Sequence, residues 1–330
     1  MKPLLTILMA LLVPLQLASQ TSRLRHRLAK ADSLLSVRYY RQGYDTNYIF
    51  RPPGKAMLRL VYNLSGAVLE AESHYSVEPY RSYAEADYKG TLSAALTYKG
   101  VTLSMALNPG ALIGKYKDYE FNLNSYGNKF GFDIIYQYAR NFKGWLKRSD
   151  EPRIDIPTDL LSLKTLNLNG YYVFSHRRFS FPAAFSQTFM QRRSAGSWML
   201  AASYQGQYLK IRPDDQLGNK SVSLQVANLG IGGGYGHNFV LPHKWLLHLS
   251  FMPTLIVASS THMTLDDAKE ELHYRFPEVI VTGRTALVHY WQRTFIGATG
   301  VVTFTNIGSP RHLEVRNVKW RFRTFWGIRL

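Results

Sequence analysis

The last thirteen residues, Val318–Leu330, read VKWRFRTFWGIRL, and this stretch decides the fold class. The even positions carry Val318, Trp320, Phe322, Thr324, Trp326, Ile328 and Leu330, and the odd positions include the bases Lys319, Arg321, Arg323 and Arg329. Because successive side chains point to opposite faces of a strand, the segment predicts a β-strand with one aromatic face and one basic face. Such a strand separates two different environments, which is typical of the wall of a membrane barrel.

The same alternation of apolar and polar residues recurs along the chain, for example in Leu92–Tyr98 and, after a tight turn, in Val101–Leu107. Eleven such segments precede the terminal one. Short turns between them alternate with longer connections that are richer in charge and proline, as expected for periplasmic turns and external loops. We therefore predict an all-β protein: a transmembrane antiparallel up-and-down β-barrel over residues 56–330, with about 12 strands and a range of roughly 10–14.

The first twenty residues have the features of a secretory signal peptide, with a single base, an apolar stretch and small residues near Ser19. Residues 1–20 are therefore predicted to be a signal peptide. The sequence has no cysteine, so no lipid-anchored N-terminus, disulfide or thiolate metal site is expected. Residues 21–55 are predicted to be a periplasmic lead-in, in which leucines at helical spacing among arginines indicate either a short basic helix or a partly disordered segment.

The segment Phe179–Gly196 lies where a short turn is expected. Counting it as a further strand would give an odd number, whereas bacterial single-chain barrels have an even number. We therefore interpret residues 179–196 as an insert, which either caps the barrel on the periplasmic side or folds into the lumen. The alternative is a hairpin with a neighbouring segment, which would bring the total to about 14 strands.

This insert also carries a resemblance to a known family. The run FSFPAAFSQTFMQRRSAGSWML, from Phe179 to Leu200, is similar to an uncharacterised Bacteroidota family, domain of unknown function 4421. Further matching pieces are DTNYI at residues 45–49, YK at 98–99, KGW at 143–145, YYVF at 171–174 and the aromatic and basic last strand. The most specific part is QRRSAGS, with Gln191, Arg192, Arg193, Ser194 and Gly196. The resemblance implies an outer-membrane barrel of unknown activity and brings no catalytic residues.

The charge of the chain indicates the kind of solute that its interior favours. Forty Lys and Arg residues against 22 Asp and Glu give a net charge of +18. An exported barrel does not meet nucleic acid, so we expect other anions: lipopolysaccharide phosphates and anionic solutes in the lumen. The bases on polar strand faces, partly offset by Glu120 and Asp133, are Arg59, Arg284, Lys319, Arg321 and Arg323. They predict either a narrow pore that favours anions or a lumen in which the bases pair with a plug or with loop carboxylates.

No motif points clearly to catalysis or to a cofactor. The ten histidines lack zinc-ligand spacing, and the glycine run at Gly230–Gly236 lacks the spacing of a dinucleotide loop, so no metal and no cofactor is expected. Those glycines predict a sharp bend or a close approach of another backbone. His248 and Ser250 share a strand face, which leaves a lipid-acting outer-membrane hydrolase as the alternative to a structural or narrow-pore barrel. The expected location is the bacterial outer membrane, and the barrel assembly machinery and membrane lipid are expected partners.

Overall fold

The computed structural model describes residues 22–40, 43–73, 80–107, 119–140, 142–148, 152–156, 160–213, 222–265, 268–272, 278–308 and 313–330. The predicted signal peptide lies outside them. The helices are α1 (Ser22–Tyr40) and α2 (Phe181–Phe185), with a 3-10 turn at Pro242–Lys244. The strands are β1 (Ile49–Phe50), β2 (Ala56–Ser73), β3 (Tyr80–Tyr98), β4 (Val101–Leu107), β5 (Tyr119–Tyr126), β6 (Phe130–Ala139), β7 (Phe142–Arg148), β8 (Ile154–Ile156), β9 (Leu161–Val173), β10 (Met190–Gln191), β11 (Ala195–Ile211), β12 (Val222–Leu241), β13 (Trp245–Leu265), β14 (Ala268–Leu272), β15 (Glu278–Tyr290), β16 (Thr294–Gly308) and β17 (Leu313–Arg329).

Twelve strands of the described chain close into one antiparallel barrel. Neighbouring strands follow one another around the wall in the order β2, β3, β4, β5, β6, β9, β11, β12, β13, β15, β16 and β17. The barrel closes where the last strand pairs with the first, with Arg323 opposite Asn63 and Arg329 opposite Met57. The predicted fold class and the expected strand number are therefore confirmed, and the fourteen-strand alternative is wrong.

We call the end at which β2 begins and β17 ends the terminal end, and the opposite end the distal end. Three of the connections at the terminal end are tight, at residues 99–100, 127–129 and 291–293, and a fourth is the 3-10 turn Pro242–Lys244. The fifth is long and runs from residue 174 to residue 194. At the distal end β7 and β8 extend the sheet beyond β3, and β14 pairs with β13, so some of the longer connections predicted as external loops contain strands.

The outside of the barrel is apolar. Large hydrophobic side chains remain exposed on many strands, such as Leu60, Leu92, Phe121, Ile231, Phe251, Val302 and Phe322. Exposed aromatic residues mark the terminal rim: Phe130, Phe174, Trp198, Trp291 and Trp326. The residues between them in sequence point inward, as the period of two requires. An exterior of this kind is stable against lipid and has the aromatic girdle of a transmembrane barrel.

Strand β12 leaves little room for side chains beside its neighbour β13 at several inward-facing positions. Its inward-facing positions 230, 232, 234 and 236 are all glycine, whereas position 233 faces outward. A Cβ atom at Gly232 would lie 2.8 Å from the carbonyl oxygen of Pro253. The absence of side chains therefore lets the interior residues of β13 fold over β12, and the close approach predicted for this glycine run is confirmed.

Helix α1 belongs to a unit of the chain separate from the one that begins at Tyr44. It carries Arg and Lys side chains along its length and has no acidic residue in its first turn. Among the described residues, neither helix combines the length and the hydrophobicity that a membrane-spanning helix needs.

Candidate functional site: a plugged lumen and a basic chamber

The long connection between β9 and β11 lies inside the barrel. We call Phe179–Gln191 the plug. It contains the short helix α2, whose residues Phe181, Pro182, Ala183 and Ala184 are all buried. Ser186 and Gln187, which follow the helix, are also buried. The plug therefore occupies the lumen at the terminal end.

Polar side chains of the wall hold the backbone of the plug. Arg59 Nη1 on β2 donates to the carbonyl oxygen of Phe185 at 3.1 Å and to Oε1 of Gln187 at 2.8 Å. Arg329 Nη2 on β17 donates to the carbonyl oxygen of Gln187 at 3.3 Å, and the Tyr290 hydroxyl on β15 donates to that of Ala183. Since a five-residue helix has unpaired carbonyl groups at its end, these donors satisfy groups that would otherwise be buried without a partner.

A second set of buried polar contacts holds the two ends of the plug together. Gln191 Oε1 accepts hydrogen bonds from the backbone N–H of Ser180 at 2.9 Å and from Nδ2 of Asn238 at 3.1 Å. The same Asn238 nitrogen donates to the carbonyl oxygen of Ser180 at 2.8 Å, and the Oδ1 of Asn238 lies 2.7 Å from Nδ1 of His248. Asn238 thus connects the plug to β12 and β13 through one amide.

Apolar packing completes the seal around the plug. Phe179 and Phe181 pack with Val173 and Met199 on one side of the lumen. On the other side Ala183 and Ala184 belong to a cluster of wall residues that includes Met57, Val61, Leu246, Val288, Phe295 and Phe325. These residues come from seven of the twelve wall strands, and Tyr126 of β5 packs against the first group from the remaining part of the wall. We infer that the plug fills the cross-section at this level.

The chain before β2 covers the plug from outside. Ile49 and Phe50 of β1 pair with Gln191 and Met190 of β10, and the backbone N–H of Arg192 donates to the carbonyl oxygen of Tyr48 at 2.7 Å. We call Tyr44–Arg51 the clasp. Its first residue packs edge-on against Phe189, with the ring centroids 5.5 Å apart.

Beyond the plug the lumen opens into a polar cavity of about 310 Å³, which we call the chamber. Phe181 and Phe185 of the plug form its floor. Amide and hydroxyl side chains make up much of its wall, including Asn63, Ser93, Asn122, Asn124, Gln137, Thr165, Asn167, Asn169, Gln205, Gln207, Thr299 and Thr303. A wall of this composition suits a hydrated, polar solute.

All five bases that the sequence assigned to the polar strand faces line the chamber: Arg59, Arg284, Lys319, Arg321 and Arg323. Three of them are alternate residues of β17. Residues two apart on a strand point to the same face and lie about 7 Å apart, so these three bases form a row along the lumen. We call Lys319, Arg321 and Arg323 the basic ladder. It rises from the level of the plug towards the distal end.

One carboxylate, that of Glu120, reaches the basic ladder from the other side of the lumen. Glu120 on β5 accepts from Arg321 Nη2 at 3.0 Å and from Arg323 Nη2 at 3.3 Å, although three strands separate β5 from β17 along the wall. The second acid, Asp133, accepts from the neutral donors Tyr126, Tyr171 and Asn169. Five bases against these two carboxylates leave the chamber with a positive excess.

Two of the bases remain available to a ligand. Among the described residues Lys319 makes no hydrogen bond and no ion pair, and Arg284 Nη1 is buried without a hydrogen-bond partner. The guanidinium of Arg284 lies over the ring of Tyr171, 5.6 Å from its centroid. By contrast, Arg59 is already used to hold the plug.

The residues assigned to the insert fall into two groups. Phe179 and Gln191 are buried in the lumen, whereas Arg192, Arg193 and Ser194 are exposed at its terminal mouth. Gly196 belongs to β11 and pairs with His237, so the insert ends two residues earlier than predicted, before Ala195. Arg59 aside, the wall residues that anchor the plug, above all Asn238 and Tyr290, carried no distinguishing sequence signal.

His248 and Ser250 both face the interior. His248 is fully buried among the rings of Phe179, Phe181 and Phe185, with the closest ring centroid 5.0 Å away. Neither His248 Nε2 nor Ser250 Oγ has a hydrogen-bond partner within the described residues. The contact with Asn238 and the surrounding phenyl rings give His248 a structural environment, one in which it supports the plug.

Comparison with known proteins adds the family. Residues 43–329 match the family model described as domain of unknown function DUF4421. The chain belongs to this family. The match covers both the clasp and the barrel down to Arg329, and no curated protein matches the chain.

Solved structures similar to this DUF4421 member include outer-membrane proteins that share little sequence with it. The outer membrane protease OmpT from Escherichia coli has a TM-score of 0.44 and 8% identity, covering 88% of this chain and 100% of its own. The translocator domain of the autotransporter NalP from Neisseria meningitidis has a TM-score of 0.37 and 10% identity, covering 93% and 96%. The outer membrane protein OprG from Pseudomonas aeruginosa has a TM-score of 0.31 and 9% identity, covering 87% and 99%.

Proposed function

We propose that the protein is a porin-like outer-membrane barrel that admits small anionic solutes to a basic lumen, with the plug holding the terminal end of the pathway shut. The observation that carries the proposal is the basic ladder on β17, which faces a polar cavity. The described lining of that cavity includes one carboxylate, Asp133, and a second, Glu120, pairs with Arg321 and Arg323. Successive bases inside a low-dielectric wall focus the field on the lumen and favour anions over cations.

The distribution of partners among the bases supports a solute pathway rather than a purely structural role. If all five bases served to hold the plug, each would contact it. Arg59 does so, whereas Lys319 and Arg284 Nη1 lie in the chamber without hydrogen-bond partners among the described residues. Unpaired buried or half-buried cations are costly unless an anion or water solvates them. A hydrated anion in the chamber would do this.

The location belongs to the same proposal. The apolar exterior and the aromatic terminal rim suit a bilayer, and the predicted signal peptide would carry the chain through the inner membrane to the outer membrane of a member of the Bacteroidota. Lipid and lipopolysaccharide would then surround the wall, and the barrel assembly machinery would insert it. The hydrolase alternative draws no support from the described geometry, because His248 is enclosed by the plug.

The test is conductance in planar bilayers with two matched backgrounds. The wild-type chain should pass little current, because the plug fills the lumen. An opened variant, in which an Asn-Gly turn replaces residues 175–193, should conduct with chloride preferred over potassium. In that background the triple change Lys319→Gln, Arg321→Gln and Arg323→Gln should abolish the preference, whereas Arg316→Gln should leave it unchanged. Arg316 lies on the same strand but is exposed and paired with Glu314.

Folding of each variant is checked by heat-modifiable migration on a gel. If the opened variant does not fold, the double change Arg59→Gln and Arg329→Gln removes plug anchors without shortening the chain and serves instead. A cation preference in the opened barrel, or a chloride preference that survives the triple change, would show that the proposal is wrong.

A further inference from the structure

The terminal face of the barrel is strongly basic, and this feature lies outside the luminal pathway. The clasp, the plug and the terminal turns, residues 44–55, 99–100, 127–129, 174–194, 242–244 and 291–293, carry ten Lys and Arg residues and one acid, Asp45. The chain as a whole carries 40 bases and 22 acids, so the excess is concentrated here. Asp45 is engaged locally, since its Oδ1 accepts from the backbone N–H of Asn47 at 2.9 Å.

Six of these ten bases form two groups with different surroundings. Lys129, Lys244 and Arg293 lie in the turns at the rim. Lys129 Nζ lies over the rings of Phe130 and Tyr172, 5.5 and 5.8 Å from their centroids, at the edge of the aromatic girdle. Bases in this position suit lipid headgroups, to which long side chains reach from the membrane edge.

The second group lies over the mouth of the lumen. Arg178 and Arg193 both lie over the ring of Tyr48, 5.3 and 5.9 Å from its centroid. Arg192 lies over Phe50 at 4.6 Å, and its Nη1 donates to the carbonyl oxygen of Thr46 at 3.3 Å. We call these three arginines the guanidinium cluster. All three are exposed, and within the described part of residues 44–330 none is paired with a carboxylate.

The geometry fixes these charges before any partner arrives. Cation–π contacts with the clasp rings hold the three guanidiniums near one another, and all three side chains remain exposed to solvent. The β1–β10 pairing joins the rings to the segment that carries Arg192 and Arg193. The three positive charges repel one another, and an anionic partner would offset this repulsion. A planar guanidinium binds a carboxylate with two parallel hydrogen bonds.

We propose that the guanidinium cluster is a docking site for an acidic peptide segment of a periplasmic protein. The cluster sits on the clasp and on the ends of the plug, inside the ring of turns, so lipid headgroups at the rim do not cover it. Carboxylates two residues apart on an extended peptide lie about 7 Å from each other, a spacing that brings several to neighbouring guanidiniums. This inference does not depend on the luminal pathway.

The experiment measures the binding of a fluorescein-labelled octaglutamate peptide to the full chain in detergent micelles. Wild-type protein should bind it in a salt-dependent manner, and an octalysine peptide should not bind. The double change Arg178→Gln and Arg193→Gln should weaken binding roughly tenfold or more. The matched double change Lys129→Gln and Lys244→Gln removes the same charge from the rim and should change binding by less than about twofold.

Two further arms separate the other possible partners. Isolated cell-wall sacculi and vesicles containing phosphatidylglycerol are each titrated with both double variants. The proposal is overturned if the rim variant weakens peptide binding as much as the cluster variant does. It is also overturned if the cluster variant loses sacculus or vesicle binding while octaglutamate binds neither wild type nor variant. Gel migration of unboiled samples confirms that both variants are folded.

Discussion

The two halves of the lumen are built on the same strands but have opposite character. On the inward face of β17, Phe325 at the terminal end packs against the cluster that holds the plug, whereas Arg323, Arg321 and Lys319 further along line the chamber. Strand β15 changes in the same way, from Val288 and Ala286 beside the plug to Arg284 in the chamber. One half is therefore sealed by packing and the other is solvated and charged.

This difference shows how a barrel of this size controls its interior. A dry seal needs interlocking side chains and satisfied backbone groups, which the plug and its anchors supply. A polar chamber needs neither, because water or a solute can complete its hydrogen bonds. Changes at the two levels should therefore have different consequences, affecting stability beside the plug and selectivity in the chamber.

The largest effect is expected at the centre of the seal. Phe179→Ala removes a side chain that is fully buried between wall and plug. The resulting cavity should lower the free energy of unfolding by about 3–5 kcal/mol. Urea unfolding of the micelle-bound barrel, followed by tryptophan fluorescence, measures it. Phe251→Ala, on the lipid-facing surface, is the control and should cost far less; equal losses would contradict a packed plug.

A smaller loss is expected at the polar anchor. Asn238→Ala leaves Gln191 Oε1, the Ser180 carbonyl and His248 Nδ1 each without one hydrogen-bond partner. We expect the free energy of unfolding to fall by about 2–3 kcal/mol, because buried polar groups without partners are costly. The same urea titration measures it. Asn306→Ala, an exposed asparagine at the distal end, should be nearly neutral.

The glycine face of β12 allows a matched pair of changes. Gly232→Ala would place a Cβ 2.8 Å from the carbonyl oxygen of Pro253, so backbone must shift, and we expect a loss of about 1–2 kcal/mol. At Gly233, which faces outward, the nearest atom to an added Cβ is the Met199 carbonyl oxygen at 3.9 Å. Gly233→Ala should therefore have almost no effect on the urea midpoint, and the reverse order would contradict the register of β12.

The smallest effect is expected in the chamber, on the selectivity for anions over cations. Glu120→Gln removes the carboxylate that Arg321 and Arg323 share. In the opened background the permeability ratio of chloride to potassium should rise about twofold, because the positive excess in the lumen increases. Reversal potentials in a salt gradient measure it. Glu314→Gln, which pairs with the exposed Arg316, is the control, and a fall in the ratio at Glu120 would contradict the assignment of charge.

More of the residues that line the chamber than of the contacts that hold the plug could be predicted from the sequence. A period of two assigns Lys319, Arg321 and Arg323 to one face of β17 without any knowledge of neighbouring strands, and closure of the sheet makes that face the lumen. The same rule assigned Arg59 and Arg284. The turn pattern separated the five terminal connections and drew attention to residues 179–196 because they are too long for a turn.

The contacts of the plug were not predictable in the same way. Gln187 and Arg59 are 128 positions apart, and Asn238 and Ser180 are 58 apart. Nothing local distinguishes Asn238 from other inward polar residues until the plug is placed against it. The contacts of Arg178 and Arg193 with the ring of Tyr48 likewise depend on the β1–β10 pairing. Strands of two residues are too short to give a periodic pattern in the sequence, so this pairing could not be predicted.

Thiol labelling tests the central claim, that the plug seals the terminal half of the lumen, most directly. The chain has no cysteine, so single replacements can be compared without background. Ser186→Cys lies within the plug, where Ser186 is 1% exposed, and Ser194→Cys lies at the open mouth. A membrane-impermeant methanethiosulfonate should label position 194 rapidly and position 186 about a hundredfold more slowly, because labelling there requires local opening. Equal rates at the two positions in the folded barrel would contradict the seal.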